Sequence, residues 1–146
     1  MFIVLFKVKN ISFAIKAEFI QEITRMIKMD FFPTEQGIID SVINYRGNSI
    51  PIMDTLKYLK KQRSSYDKES IIVIISAKNN LVGLLADDVL QTMEIASSNI
   101  QDFSTIESEY FNTFVKVKNE ILPILNINRL IKDISKDTNK LKAEIK

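Results

Sequence analysis

Blocks of consecutive apolar residues recur along the chain between polar turns, and the blocks come in pairs. Phe2-Ile3-Val4-Leu5-Phe6 returns 69 residues later as Ile71-Ile72-Val73-Ile74-Ile75. Five apolar residues in a row, rich in β-branched side chains, suit strands covered on both faces. At the same offset Asn10 falls on Asn79, Phe13-Ala14-Ile15 on Val82-Gly83-Leu84, and Ala17-Glu18 on Ala86-Asp87. Further on, Ile50-Pro51-Ile52-Met53-Asp54 matches Leu122-Pro123-Ile124-Leu125-Asn126 at an offset of 72. Each proline segment runs on to a basic residue and an apolar pair, Lys57-Tyr58-Leu59 and Arg129-Leu130-Ile131. Self-similarity at a fixed period marks a duplicated structural unit.

Each unit reads strand, turn, strand, short helix, strand, loop, strand, short helix. Lys9-Asn10 and Lys78-Asn79-Asn80 carry the turn chemistry that folds each apolar block onto the next strand. Phe19, Ile20 and Ile23 are spaced for a turn or two of helix over 18–23, and 23–29 alternates imperfectly, as a half-exposed strand does. Pro33 should end that strand, and Pro51 and Pro123 should confine theirs to edges or barrel rims. The last fifteen residues, 132–146, are polar and either form a helix on Ile134, Leu141 and Ile145 or fray. Two copies of five short strands predict an all-β fold of two small β-barrels, too small to stand apart and therefore packed on a shared hydrophobic core.

Composition removes most enzyme chemistry. Among 146 residues there is no His, no Cys and no Trp, and only three Gly. That excludes an imidazole base, a thiol nucleophile, thiolate or imidazole metal ligation and a disulfide framework. Three glycines cannot build a dinucleotide fingerprint or a phosphate-binding loop. No nucleophile, base and oxyanion donors assemble, so no catalytic residue, cofactor or metal is expected. Asp87-Asp88 either points to opposite faces of a strand or opens a short helix, and neither arrangement converges on a metal. The pairs Glu18/Glu22 and Glu107/Glu109 read as solvated surface, and Ser64-Ser65 has no elbow motif around it. Met26, Met29 and Met53 read as gap-filling core residues.

The charge balance argues against a nucleic-acid partner. Formal net charge is +2, with an excess of +4 in residues 1–65 and −2 in 66–146, and much of the first excess sits in Lys57, Lys60, Lys61 and Arg63. No apolar run approaches the ~20 residues of a membrane span. Residues 2–6 are too short for a signal core and lack a preceding basic segment, so the sequon at Asn10-Ile11-Ser12 carries no weight. A soluble, cytoplasmic protein without direct membrane insertion is expected.

One segment is less generic. In Ile43-Asn44-Tyr45-Arg46-Gly47-Asn48-Ser49-Ile50-Pro51 a Gly-Asn pair signals a tight hairpin with Gly47 at φ > 0, and Arg46 is placed at the strand end beside it. A guanidinium held there suits a carboxylate partner.

Asn44-Tyr45-Arg46-Gly47 followed by Ile50-Pro51-Ile52-Met53-Asp54 resembles the N-x-R-G…I-P-[VI]-x-D signature of the CheW-like family. Residues 2–6, Ile20-Gln21-Glu22-Ile23, Gly83-Leu84-Leu85-Ala86-Asp87-Asp88-Val89 and Leu122-Pro123-Ile124-Leu125 fall where that family places its other motifs, so the resemblance covers about residues 2–131. It implies two five-stranded SH3-like barrels around a shared core with short helices, leaving open an exchange of strands between halves. The domain would run over 1–135, in halves of roughly 1–65 and 66–135, with a polar tail at 136–146. It implies a non-catalytic adaptor that couples the cytoplasmic tips of methyl-accepting chemoreceptors to the regulatory domain of the histidine kinase CheA. The alternatives are an adaptor for another CheA-type array, controlling surface motility or gene regulation, and distantly a small-barrel nucleic-acid binder. The partner-binding residues it implies are Glu22 and Arg46 as a sensitive pair, with Asn44 and Gly47 of the motif, and Ile20 and Val89 in the groove between barrels. The chain departs from the family pattern at Ser41, where Gly is usual, at its second-half counterpart Thr113, and at Asn126, where Asp is common. Ser41 puts the local backbone geometry or a partner contact in question.

Overall fold

The structure, a computed structural model, describes residues 1–31, 39–60, 67–102 and 110–145. The strand end at Pro33, the basic and serine stretch 61–65, and the Glu107/Glu109 pair lie outside them. In chain order the elements are β1 (Phe2–Val8), β2 (Ile11–Lys16), β3 (Ile20–Arg25), β4 (Asp30–Phe31), β5 (Ile39–Tyr45), β6 (Asn48–Met53) and α1 (Thr55–Lys60). The second copy gives β7 (Ile71–Ala77), β8 (Asn80–Ala86), β9 (Asp88–Glu94), β10 (Ile100–Asp102), β11 (Phe111–Val117), β12 (Glu120–Leu125) and α2 (Ile127–Ile145).

The strands form two sheets, ordered β10-β11-β12-β2-β1-β9 and β3-β7-β8-β6-β5-β4. Each holds the five expected strands plus a very short sixth, β10 or β4. The leading hairpin of each copy is traded: β1–β2 lies in the sheet of β9–β12, and β7–β8 lies in the sheet of β3–β6. The trade is equivalent in detail. Ile20 pairs with Ile75 and Glu22 with Ile74 across a bulge; 69 residues on, Val89 pairs with Phe6 and Gln91 with Leu5 across the matching bulge.

That exchange explains the apolar runs. Along β1, Val4, Phe6 and Val8 enter a central cluster while Ile3 and Leu5 face the interior of their own barrel. Along β7, Val73 and Ile75 enter the same central cluster, and Ile72 and Ile74 fill the other barrel. Three cores result, one inside each barrel and one between them. Both hairpins are therefore covered on both faces, which is what a five-residue apolar block requires.

Several local readings need correction. Residues 17–19 form a single 3-10 turn (Ala17–Phe19), and strand β3 begins already at Ile20, so no helix spans 18–23. Residues 26–29 belong to no strand. The bulge at Gln21 shifts the phase, leaving Ile23 exposed and Glu22 half-buried. The proline strands β6 and β12 are interior to their sheets. They tolerate Pro51 and Pro123 because the prolines pair on one side, with Val42 and Phe114, while the parallel neighbour's register begins one residue later, at Ile52 with Gly83 and Ile124 with Ala14.

Both helices start identically. Asp54 Oδ1 accepts from the Lys57 amide at 3.2 Å, and Asn126 Oδ1 accepts from the Arg129 amide at 3.2 Å. Asn126 thus does the capping work of the Asp usual at that position, as expected from the near-equal cap strength of the two residues. The open question at the C-terminus resolves to helix. Ile127, Leu130, Ile131 and Ile134 of α2 are buried at i, i+3, i+4 and i+7. Asp133 anchors α2 to α1 by accepting the Tyr58 hydroxyl at 2.7 Å, and within α2 it also accepts Arg129 Nε at 3.1 Å. Asp87 and Asp88 also serve the backbone: Asp87 accepts from the Lys9 amide at the β1–β2 turn, and Asp88 from the Val89 amide.

Candidate functional site

The β5–β6 hairpin closes through a two-residue loop, Arg46-Gly47, between the paired Tyr45 and Asn48. Both loop residues have positive φ, 50° at Arg46 and 82° at Gly47. Such loops match the right-handed twist of the flanking strands. Arg46 is therefore not the last strand residue, as its place in the sequence suggested, but the first residue of the turn. Lys9, Lys78 and Lys118 occupy the same left-handed position in the two-residue loops of three other hairpins.

This tip comes to β3 across the barrel mouth. Arg46 Nη2 donates to Glu22 Oε1 at 3.4 Å. The guanidinium carbon also stands 5.1 Å from the centroid of the Tyr45 ring. Glu22 reaches the tip because the bulge at Gln21 re-aims it on β3. With side chains 68 % and 37 % exposed, the pair is bathed in water and contributes at most about 1 kcal/mol. A weak pair on a strained turn residue holds a rim in shape rather than a fold together.

The other sequence-derived candidates divide cleanly. Asn44 is exposed on the same hairpin, paired with Ser49, and Gly47 is the exposed turn glycine. Ile20 lies on β3 just before the bulge and packs against the central cluster. Val89 does not join this group: it lies on β9 in the other sheet, where it is the repeat counterpart of Ile20 and packs on the same central cluster. Tyr45 was missed by sequence reasoning, although an aromatic directly before a turn Arg is a legible cation–π signal. Its ring is buried and its hydroxyl has no hydrogen-bond partner among the described residues.

The repeat makes the site asymmetric. Gln91 and Lys118 hold the positions of Glu22 and Arg46 in the second copy, and Gln91 Nε2 donates instead to Met93 Sδ at 3.3 Å. The charged clasp therefore belongs to one barrel alone. Ser41, the departure from the family glycine, is fully buried in β5 without positive φ, and its hydroxyl donates to Met29 Sδ at 3.2 Å. A Cβ is accommodated there. Thr113 repeats the arrangement: it follows the β11 bulge as Ser41 follows the β5 bulge.

The fold is thus a strand-exchanged double barrel with a charged hairpin clasp at one mouth. The chain belongs to the CheW-like family: residues 3–135 match the model of the CheW-like domain. It is 23 % identical over 131 residues to the chemotaxis protein CheW of Klebsiella aerogenes, covering 87 % of this chain and 79 % of that one. It is 26 % identical over 134 residues to the chemotaxis protein CheW of Bacillus subtilis, covering 88 % and 85 %. The crystal structure of the scaffolding protein CheW from Thermoanaerobacter tengcongensis superposes with a TM-score of 0.76 at 22 % identity, covering 86 % of this chain and 88 % of that one, and so shares the fold.

Proposed function

We propose that this protein is a non-catalytic, cytoplasmic adaptor that couples chemoreceptor tips to the regulatory domain of the histidine kinase CheA. The Arg46–Glu22 clasp carries the reading. A bulge and a left-handed turn residue cooperate to hold a weak, exposed ion pair, and local strain of that kind gathers at recognition surfaces. The binding energy comes from apolar and polar contacts over about 800 Å² per partner, with the clasp orienting the rim. Asn44 and Gly47 belong to the same contact, Ile20 supports it from beneath, and Val89 marks the corresponding place on the other barrel.

Arg46→Gly is the informative variant, because glycine takes the φ of 50° found there without strain, so the side chain is lost while the turn is kept. Isothermal titration against the kinase regulatory domain and a receptor tip fragment should show weaker binding to at least one of them, with circular dichroism unchanged. Arg46→Glu should weaken it further, and adding Glu22→Arg should restore part of the loss. Unchanged affinity in all three variants would remove the clasp from the site.

A further inference from the structure

A second surface lies along α2, at the β7–β8 turn. Arg129, Lys132 and Lys136 follow one another at i, i+3 and i+7 and border a cleft of about 650 Å³, whose opposite lip is Lys78 at the hairpin tip. The face of α2 formed by Leu130, Ile131 and Ile134 is turned into the core, which fixes the basic stripe outward. Among the described residues no carboxylate lines the cleft. Asp133, which accepts Arg129 Nε at 3.1 Å, sits outside it, and Lys78, Lys132 and Lys136 have no ion-pair partner among the described residues. With Arg129 already held by Asp133, three lysines around one cleft still concentrate positive charge on a near-neutral chain.

The cleft does not end at the lysines. Through Asn80, Ile131 and Ser135 it runs into a second groove of about 560 Å³ with Pro51 and Leu81 in its wall. A cationic lip beside a trough in which the half-exposed Pro51 and Leu81 stand among Asn and Ser side chains selects a ligand that carries carboxylates and a small apolar face. Lysines are point charges that accept a carboxylate in many orientations, and among the described residues no aromatic ring lines either groove to stack a base.

We propose that this groove docks an acidic amphipathic segment of a partner protein, carboxylates on Lys78, Lys132 and Lys136 and apolar side chains against Pro51 and Leu81. The groove reaches the flank of the Arg46-Gly47 turn only through Asn48 and Ser49, and its charge lies at the far end, so the proposal stands whether or not the clasp binds the kinase.

The test is an NMR titration of the isotope-labelled full chain with a synthetic helix carrying Glu on one face and Leu on the other. Amide shifts should concentrate at 78–80 and 129–136, and rising salt should weaken the binding. The double variant Lys132→Glu/Lys136→Glu should lose affinity by about tenfold or more, as charge reversal at a complementary surface does. Both residues are exposed, so the fold is retained, which the spectrum itself reports. Lys68→Glu, preceding β7 at the end opposite Lys78, should leave the affinity unchanged. Shifts centred elsewhere, equal affinity in the double variant, or displacement of the helix by stoichiometric inorganic phosphate or a single-stranded oligonucleotide would each overturn the proposal.

Discussion

Gly83→Ala probes a point where the two copies of the fold differ in packing, Gly83 in one and Ala14 in the other. Gly83 lies on β8, opposite Ile52 of β6 in the parallel pair and Ile74 of β7 in the antiparallel one. A Cβ at 83 would overlap Ile52 Cδ1 and stand 3.0 Å from Ile72 Cγ2, where ordinary carbon contact is about 3.5–4.0 Å. Both isoleucines are fully buried inside their barrel and have little room to retreat. Overpacking of this kind costs about 1–3 kcal/mol. Alanine also lowers the entropy of the unfolded chain, which offsets about 0.4–1 kcal/mol. The net loss is about 1–2 kcal/mol, and at ~2–4 °C per kcal/mol for a chain of this size Tm should fall by roughly 2–8 °C in calorimetry. The repeat supplies its own control, because the equivalent position, opposite Ile124, is Ala14 and is fully buried without difficulty. Ile52→Val removes the clashing methyl. Alone it should cost about 0.5–1.5 kcal/mol. In the Gly83→Ala background it should cost nothing or restore stability, giving a coupling that a double-mutant cycle reads directly. An unchanged Tm for Gly83→Ala, or strict additivity with Ile52→Val, would refute the close-approach reasoning.

Other outcomes follow from single groups. Tyr45→Phe removes a buried hydroxyl with no partner among the described residues and should leave stability equal or raise it by about 1 kcal/mol in urea unfolding; a clear loss of stability would mean the hydroxyl is satisfied in solution. Burial, reinforced by the Asp133 carboxylate that accepts its hydrogen bond, pushes the Tyr58 hydroxyl well above the usual tyrosine range. The protonated form is thus favoured in the fold, so this contribution is complete below the unfolded value of about 10 and is lost as pH rises past it. Tyr58→Phe should cost about 1–2 kcal/mol at neutral pH and flatten the decline of stability above pH ~10, which denaturant titrations across that range would check.

The order of strands and the duplication were legible because β1 and β7 are buried on both faces and so print continuous apolar runs. The hairpin at Arg46 was legible because a left-handed turn demands Gly or a tolerant neighbour. The start of β3 was not, because a bulge at Gln21 inverts the expected alternation and leaves Ile23 outside and Glu22 partly inside. The proline strands were misplaced at edges because a residue-level rule cannot show that the second neighbour's pairing begins one position beyond the proline. The terminal helix stayed open because its anchor, the Tyr58–Asp133 bond, joins residues 75 positions apart. In the candidate site, Glu22, Arg46, Asn44 and Gly47 came from a motif and Tyr45 could have been read from its place before Arg46, whereas the one-sidedness of the clasp needed the folded repeat.

The central claim, that one small double barrel bridges two signalling proteins, is tested most directly by sedimentation velocity of a three-component mixture: this protein, the CheA regulatory domain and a soluble receptor tip fragment. A single ternary species should form, with both binary complexes also detectable, and Arg46→Gly should deplete it. A protein that sediments alone with either partner, or that one partner displaces from the other, would contradict the adaptor account.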